Sequence, residues 1–256
     1  MTCIFHLSDL HFGYEDRHAL QWAHDAICAE RPDHVVMTGD LTMRARPQEF
    51  GAALDWIESL PVPVTVDLGN HDLPGYHLPE RYLRPYKRFY AFRDAVEARN
   101  RGLTRGPNGG DLGDLVFVPL NTSPPVQPRS NWSKGWVSDA ALAQCLAAID
   151  ALPQAARILV SAHHPLRETG THGTALTHGG TRALEAFANC GVVAVLSGHV
   201  HDPFDILEPI GAGPASGAVR MVGAGTLSQR LRKTAPSYNK LTWDGEALDV
   251  ELRLCS

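Results

Sequence analysis

Five times along this chain a short apolar run ends in aspartate or histidine. Residues 3–7 (CIFHL) lead into Ser8-Asp9-Leu10-His11, and residues 35–38 (VVMT) into Gly39-Asp40. Residues 63–66 (PVTV) lead into Asp67-Leu68-Gly69-Asn70-His71-Asp72. Residues 157–161 (RILVS) precede Ala162-His163-His164-Pro165, and residues 192–196 (VVAVL) precede Ser197-Gly198-His199-Val200-His201. Such runs read as buried strands. One of them followed by a turn aspartate or a surface histidine is ordinary, and Asp40 alone reads as a loop or capping residue. Five of them place polar groups at one edge of a sheet, the carboxyl edge, where ligands bind in open α/β sheets. In extended backbone, D-x-H and H-x-H each turn two side chains to the same side. Gly69 is expected to let the chain turn sharply.

Helices are expected between these strands. Residues 15–30 carry Leu20, Ala23, Ile27 and Cys28 as a buried stripe, and residues 47–60 carry Phe50, Ala53, Leu54 and Ile57 at helical spacing. Ser138 caps a helix over 139–151, and another is expected over 180–190. Residues 73–113 break this rhythm. Tyr76, Tyr82, Tyr86, Phe89, Tyr90 and Phe92 mix there with arginines and Lys87, in a helix expected over 79–99 followed by a glycine-rich loop at 106–110. Such a mix serves either substrate stacking or a helix that buries rings and solvates charges. A further strand is expected over 114–120. After residue 203 the runs 204–210, 218–225, 238–243 and 247–254 are all strand-like, with a hairpin turn at 243–246. The pattern is α/β: parallel strands, extended or packed on by a second, more antiparallel sheet. No linker, repeat or low-complexity segment appears. Residues 1–256 are therefore expected to form one domain, with an insertion around 73–113 and a strand-rich part over 204–254.

Composition excludes several classes. A 44% apolar fraction suffices for a sizeable core, and 20% charged residues suit a folded soluble chain. The net charge of −5 offers no basic footprint for general nucleic-acid binding, although the basic residues of 81–93 could form a local groove. No run is long enough to span a membrane and no secretory signal is visible. The five cysteines are scattered singly, without CxxC spacing, and read as reduced thiols of a cytoplasmic protein.

Asp9, His11, Asp40, Asn70, His163, His199 and His201 all fall at expected strand ends. Oxygen donors mixed with imidazoles suit Mn, Fe, Zn or Co and argue against a soft thiolate site. Seven ligands exceed one tetrahedral ion and suit two ions that share a carboxylate. Two divalent ions carry more charge than two aspartates cancel. The surplus attracts phosphate and lowers the pKa of a bound water.

The ordered set DLH, GDL, GNHD, HHP and GHVH resembles the calcineurin-like metallophosphoesterases over roughly the whole chain, and is most similar to bacterial class III cyclic nucleotide phosphodiesterases and related diesterases. The resemblance implies a four-layer αββα sandwich of two mixed β-sheets flanked by helices, with a dimetal site at strand carboxyl ends. It implies that Asp9, His11, Asp40 and His201 hold one ion, that Asp40 bridges, and that Asn70, His163 and His199 hold the other. It implies a phosphodiester hydrolase in which a metal-bridging hydroxide attacks phosphorus and His71 assists the leaving oxygen. Asp72 either orients His71 or closes the turn. Leu68 stands where many relatives have proline, a change expected to be harmless. His164 is expected to line the pocket, with Arg167, His172, His178 and Arg230 at its rim. Arg232 meets a phosphate or is solvated. His6, His18, His24, His34 and His77 have no motif support and read as structural or solvated. The expected partner is a small phosphorylated molecule, with a cyclic nucleotide as the first candidate. Another phosphodiester or pyrophosphate (a glycerophosphodiester, a UDP-linked lipid precursor, a nucleic-acid end) or a phosphomonoester stays open, as does a non-catalytic scaffold that keeps the fold. The C-terminal hairpin over 238–254 serves either as an ordinary sheet edge or as a homodimer edge.

Overall fold

The structure, a computed structural model, describes residues 1–75, 77–103, 112–210 and 217–256. The glycine-rich stretch 106–110 and Tyr76 lie outside them. The chain runs β1 (Thr2–Leu7), α1 (Arg17–Glu30), β2 (His34–Met37), α2 (Pro47–Glu58), β3 (Val64–Val66), α3 (Leu78–Leu83) and α4 (Lys87–Gly102). It continues with β4 (Leu115–Pro119), α5 (Asp139–Asp150), β5 (Arg157–Ser161), α6 (Gly180–Asn189), β6 (Val192–Ser197), β7 (Phe204–Ile210), β8 (Gly217–Gly223), β9 (Ser237–Trp243) and β10 (Leu248–Leu254).

Two five-stranded sheets form, ordered β10-β9-β1-β2-β3 and β4-β5-β6-β8-β7. Strand alternation sorts the side chains into layers. On β1 and β2, Phe5, Leu7, Val35 and Met37 pack outward against α1, α2 and α4. Ile4 and Val36 face inward and meet Leu159, Ala194, Leu196 and Val222 of the other sheet. Val160, Val195 and Met221 pack on the far side with Leu142 and Ile149 of α5 and Leu184 and Phe187 of α6. The result is a helix–sheet–sheet–helix sandwich of two mixed sheets. His6 and His34 sit inside it, bonded to Thr38 Oγ1 at 3.0 Å and Thr65 Oγ1 at 2.8 Å.

One sequence expectation changes. The helix expected over 79–99 is two helices, α3 and α4, separated at residues 84–86. Pro85 causes the break, because the residue before proline avoids helical geometry. Of the two arrangements expected for the C-terminal strands, the structure has the extended one, with those strands adding to both mixed sheets. β8 continues the parallel run beside β6, β7 edges the same sheet, and β9 pairs antiparallel with β1 in the other. The aromatic segment divides as well: Phe89 and Phe92 are buried in the core, whereas Tyr82 and Tyr90 are exposed.

Candidate metal centre

The carboxyl ends of β1, β2, β3, β5 and β6 meet at one place. Their loops keep bonding to one another beyond the strands, with Asp9 N–H donating to Gly39 O at 3.1 Å, His11 N–H to Asp40 O at 3.0 Å and Gly198 N–H to His163 O at 2.9 Å. Asp9, His11, Asp40, His199 and His201 all have left-handed backbone, with φ of 55°, 48°, 52°, 68° and 60°. Non-glycine residues adopt this region at a cost, and it recurs at functional sites where the fold over-determines it. Here it curls each strand end inward, so the side chains converge. Gly69, by contrast, is not in the left-handed region. A Cβ there would collide with the backbone and carboxylate of Asp40, so this glycine is required by close approach rather than by the turn. Gly198 is required in the same way by Ser8 and Asp9.

The converging atoms form a donor set. His201 Nε2 lies 3.1 Å from Asp9 Oδ1 and 3.2 Å from His11 Nε2. Asp40 Oδ2 lies 3.8 Å from His11 Nε2 and 3.3 Å from His163 Nε2, between the two halves of the cluster. Asn70 Oδ1 is 3.2 Å from His163 Nε2. His199 sits beside His163 with ring centroids 5.3 Å apart.

Each of these donor groups is aimed from behind. Asp9 Oδ2 accepts from Ser8 Oγ at 2.7 Å and His199 N–H at 2.8 Å, which leaves Oδ1 buried without a well-formed hydrogen bond. Asp40 Oδ1 accepts from His71 N–H at 2.7 Å, so Oδ2 is the free oxygen. His163 Nδ1 donates to Thr38 O at 2.8 Å and His201 Nδ1 to Arg230 O at 2.6 Å, which turns both Nε2 lone pairs into the cluster. Lone pairs that face one another at these distances need a proton or a cation between them, so the residues fit a pair of metal ions.

Electrostatics agree. Burial by itself would raise Asp9 and Asp40, but the surrounding imidazoles outweigh it and hold both well below the usual carboxylate range. Burial opposes charge on His163, yet Asp40 prevails and raises it to about 9. His201 is raised likewise, by Asp9 against burial. A cation entering this site replaces protons held by carboxylate–imidazole pairs.

His164 is different. It lies beside His163 and His199, with donor atoms within 4.8 Å of theirs, but its Nε2 donates to Ser133 O at 3.0 Å and its Nδ1 meets Thr122 Oγ1 at 2.8 Å, so both ring nitrogens are already engaged. Burial, reinforced by His163, pushes it down to about 3.

His71 stands at the rim. Its Nδ1 donates to Met43 O at 2.7 Å, and its Nε2 accepts from Arg230 Nη1 at 2.8 Å. Asp72 does not touch that ring. Its carboxylate gathers Thr42 N–H at 2.9 Å, Thr42 Oγ1 at 2.9 Å, Gly69 N–H at 2.9 Å and Leu41 N–H at 3.3 Å, all contacts that close the turn. Burial and the nearby Asp40 push Asp72 up to about 7.

A cavity of about 130 Å³ opens above the cluster, lined by Asp40, Asn70, His71, His199 and His201 together with Ser133, Lys134, Thr174, Arg230 and Arg232. The rim residues expected from sequence fare unequally. Arg230 lines this cavity and also reaches His11 Nε2 at 3.3 Å. Arg167 pairs with Glu208 at 2.9 Å, exposed His178 stacks on Trp136 at 3.9 Å, and His172 is exposed; none of the three lines it. Lys134 and Thr174 were not foreseen. They come from two loops tied together by Lys134 Nζ, which donates to Thr174 O at 2.7 Å. Only their basic and hydroxyl character, next to Trp132 and His172, could have flagged them.

The calcineurin-like phosphoesterase family model matches residues 4–203, and the chain belongs to that family of two-metal hydrolases. The fold resembles a dimetal phosphatase from Danio rerio, with 14% identity, TM-score 0.61, and 98% of this chain and 96% of that one covered. A purple acid phosphatase from yellow lupin (Lupinus luteus) seeds superposes with TM-score 0.60 at 16% identity, over 99% of this chain and 51% of that one. GAP50, the anchor in the inner membrane complex of Plasmodium, superposes with TM-score 0.58 at 11% identity, over 98% and 84%. At these identities the likeness is one of fold. A comparison with curated proteins found no match. Among the described residues no helix is long and apolar enough to cross a membrane, and all five cysteines are free.

Proposed function

We propose that the protein is a phosphodiesterase that works with two divalent ions, Mn, Fe, Zn or Co. The observation that carries this reading is that two spaces meet at Asn70, His71 and Ser133. One is the small cavity over the donor cluster, and the other is a cavity of about 390 Å³ that shares those three lining residues and is otherwise lined by different ones. A phosphate seated at their junction has room for an ester arm on each side, which suits a diester better than a monoester. Asp9, His11, Asp40 and His201 would hold one ion; Asn70, His163, His199 and the shared Asp40 would hold the other. The central position of Asp40 Oδ2 supports its bridging role. When bound, the ions supply Lewis-acid charge and a water acidic enough to ionise near neutral pH.

The remaining work falls to protein groups. Arg230 donates into the cavity and, with Lys134 and Arg232, offsets charge that develops on the phosphate. His71 holds its ring by Met43 O and presents Nε2 at the junction, where it gives a proton to the departing oxygen. That role requires Arg230 to yield its bond to Nε2 once phosphate enters and Nε2 to take up a proton from solvent before the ester bond breaks. Asp72 keeps the Asn70-His71 turn in register with Asp40. Cyclic nucleotides are the first substrates to assay. GAP50 shares the fold and is an anchor, but here a complete donor set and His71 favour catalysis over a scaffold role.

The test is a panel with added Mn: 3′,5′-cyclic AMP, 2′,3′-cyclic AMP, bis-p-nitrophenyl phosphate, p-nitrophenyl phosphate and UDP-glucose. Diester turnover that collapses in His71→Ala supports the reading. Turnover of the monoester alone, or none above the His71→Ala background, overturns it.

A further inference from the structure

The larger cavity holds a charge that the two-metal chemistry does not use. Arg81, on α3, is 5% exposed. Its guanidinium donates to two carbonyls, Pro125 O at 2.7 Å through Nε and Pro74 O at 3.5 Å through Nη1, and lies 5.2 Å over the Trp132 ring. Among the described residues no carboxylate pairs with it. A buried guanidinium is ordinarily matched by an anion, because removing it from water uncompensated is costly. Neutral carbonyls and an indole face orient this one without neutralising it, and burial lowers its pKa against the ordinary arginine value.

The position of the charge suggests its use. Arg81 and Trp132 line the same cavity as Asn70, His71 and Ser133, on the side away from Lys134 and Arg230. The described lining contains a second arginine, Arg44, and no aspartate or glutamate. Leu73 and Met43 supply its apolar wall. A departing group bound here meets fixed positive charge, an aromatic face and apolar surface.

We infer that the substrate carries a second phosphoryl group on its leaving side, seated on Arg81 above Trp132, so that the diphosphate-linked diesters are the substrate class. This inference rests on the phosphodiesterase reading and narrows it. In the reaction the oxygen of water bonds to one phosphorus. The bond from that phosphorus to the bridging oxygen breaks, and the electron pair leaves with the bridging oxygen on the second phosphate. The products are two phosphate monoesters, and the two protons of water pass to them or to solvent. Arg81 binds the departing monoester, a planar donor fork against a phosphate.

Two measurements on the metal-loaded protein test this. First, kcat/KM is measured for UDP-glucose and for bis-p-nitrophenyl phosphate, which lacks the second anion. Arg81→Gln is expected to lower the UDP-glucose to bis-p-nitrophenyl phosphate ratio at least tenfold, with Arg81→Lys restoring part of it. Second, tryptophan emission is titrated with glucose 1-phosphate. Wild type is expected to give a saturable change that vanishes in Trp132→Phe and needs at least ten times more ligand in Arg81→Gln. Melting curves for each variant separate misfolding from lost binding. Diester turnover with an unchanged ratio and an unchanged titration overturns the inference and leaves the phosphodiesterase reading standing. If no substrate is turned over, that reading fails, and the emission titration alone decides whether Arg81 binds phosphate.

Discussion

Arg230 Nη1 donates to His71 Nε2 at 2.8 Å while its own carbonyl accepts from His201 Nδ1 at 2.6 Å, so a single residue between β8 and β9 steadies both the candidate proton donor and a candidate metal ligand. The side chain and the main chain of Arg230 thus serve different jobs, and substitution separates them. Arg230→Gln removes the cation and keeps the carbonyl. It is expected to lower kcat/KM for bis-p-nitrophenyl phosphate by about 10²-fold, with metal content unchanged by elemental analysis. Loss of metal in this variant would show that the side chain supports the ions.

His71 is expected to matter in proportion to the basicity of the departing oxygen. His71→Ala should lower kcat by about 10²–10⁴-fold for a diester that releases an alkoxide. The loss should be smaller for bis-p-nitrophenyl phosphate, whose nitrophenolate departs without much help. Equal losses for both would mean that His71 binds substrate rather than moving a proton.

The neighbouring histidines His163 and His164 are expected to part company. His163→Ala should lose one of two bound ions, because its Nε2 is aimed at Asp40 and Asn70. His164→Gln should keep both, because the ring nitrogens of His164 already meet Ser133 and Thr122. Elemental analysis after dialysis reads the difference.

Asp72→Ala strands three buried backbone donors, those of Leu41, Thr42 and Gly69. It is expected to cost about 3 kcal/mol of stability in urea unfolding. Because Asp72 holds the turn and not the His71 ring, the shape of the pH–rate profile should survive while stability falls. A shifted profile with little loss of stability would restore Asp72 to the role of orienting His71.

His34 tests the buried layer between the sheets. Burial lowers it from its ordinary value to about 4, whereas in the unfolded chain it titrates near ~6.5. Between these values the unfolded chain binds a proton that the folded chain refuses, so His34 makes stability fall as pH drops. The slope is about 1.4 kcal/mol per pH unit. His34→Gln removes this dependence and can keep a bond to Thr65. The difference in unfolding free energy between wild type and variant should be flat above pH ~7 and should move against wild type below it. Parallel pH curves would show that His34 is solvated.

What could be read from the sequence follows from how local each signal is. Asp9, His11, Asp40, His199 and His201 announce themselves because each follows directly on a buried strand, and the polar residue is the anomaly. Pro85 carried a local signal too, for the break between α3 and α4. The pairing of β9 with β1 did not, because register across more than two hundred residues depends on which faces find each other in three dimensions. Trp132, Lys134 and Thr174 were illegible for the same reason, and Arg81 was visible only as one of several basic residues in 81–93. Each is unremarkable beside its chain neighbours and acquires meaning only where separate loops meet at His71. The inward curl of the turns that carry these candidate donors is likewise a property of backbone geometry, since aspartate and histidine adopt left-handed φ only where surrounding contacts hold them.

The most direct measurement is a titration of metal-free protein with Mn, followed by calorimetry for stoichiometry and by hydrolysis of bis-p-nitrophenyl phosphate for activity. Two ions per chain are expected, with turnover that appears as the second ion binds and disappears in Asp40→Asn, which removes the shared carboxylate. A single ion per chain with full diesterase activity, or activity that persists in excess chelator, would contradict the two-metal reading.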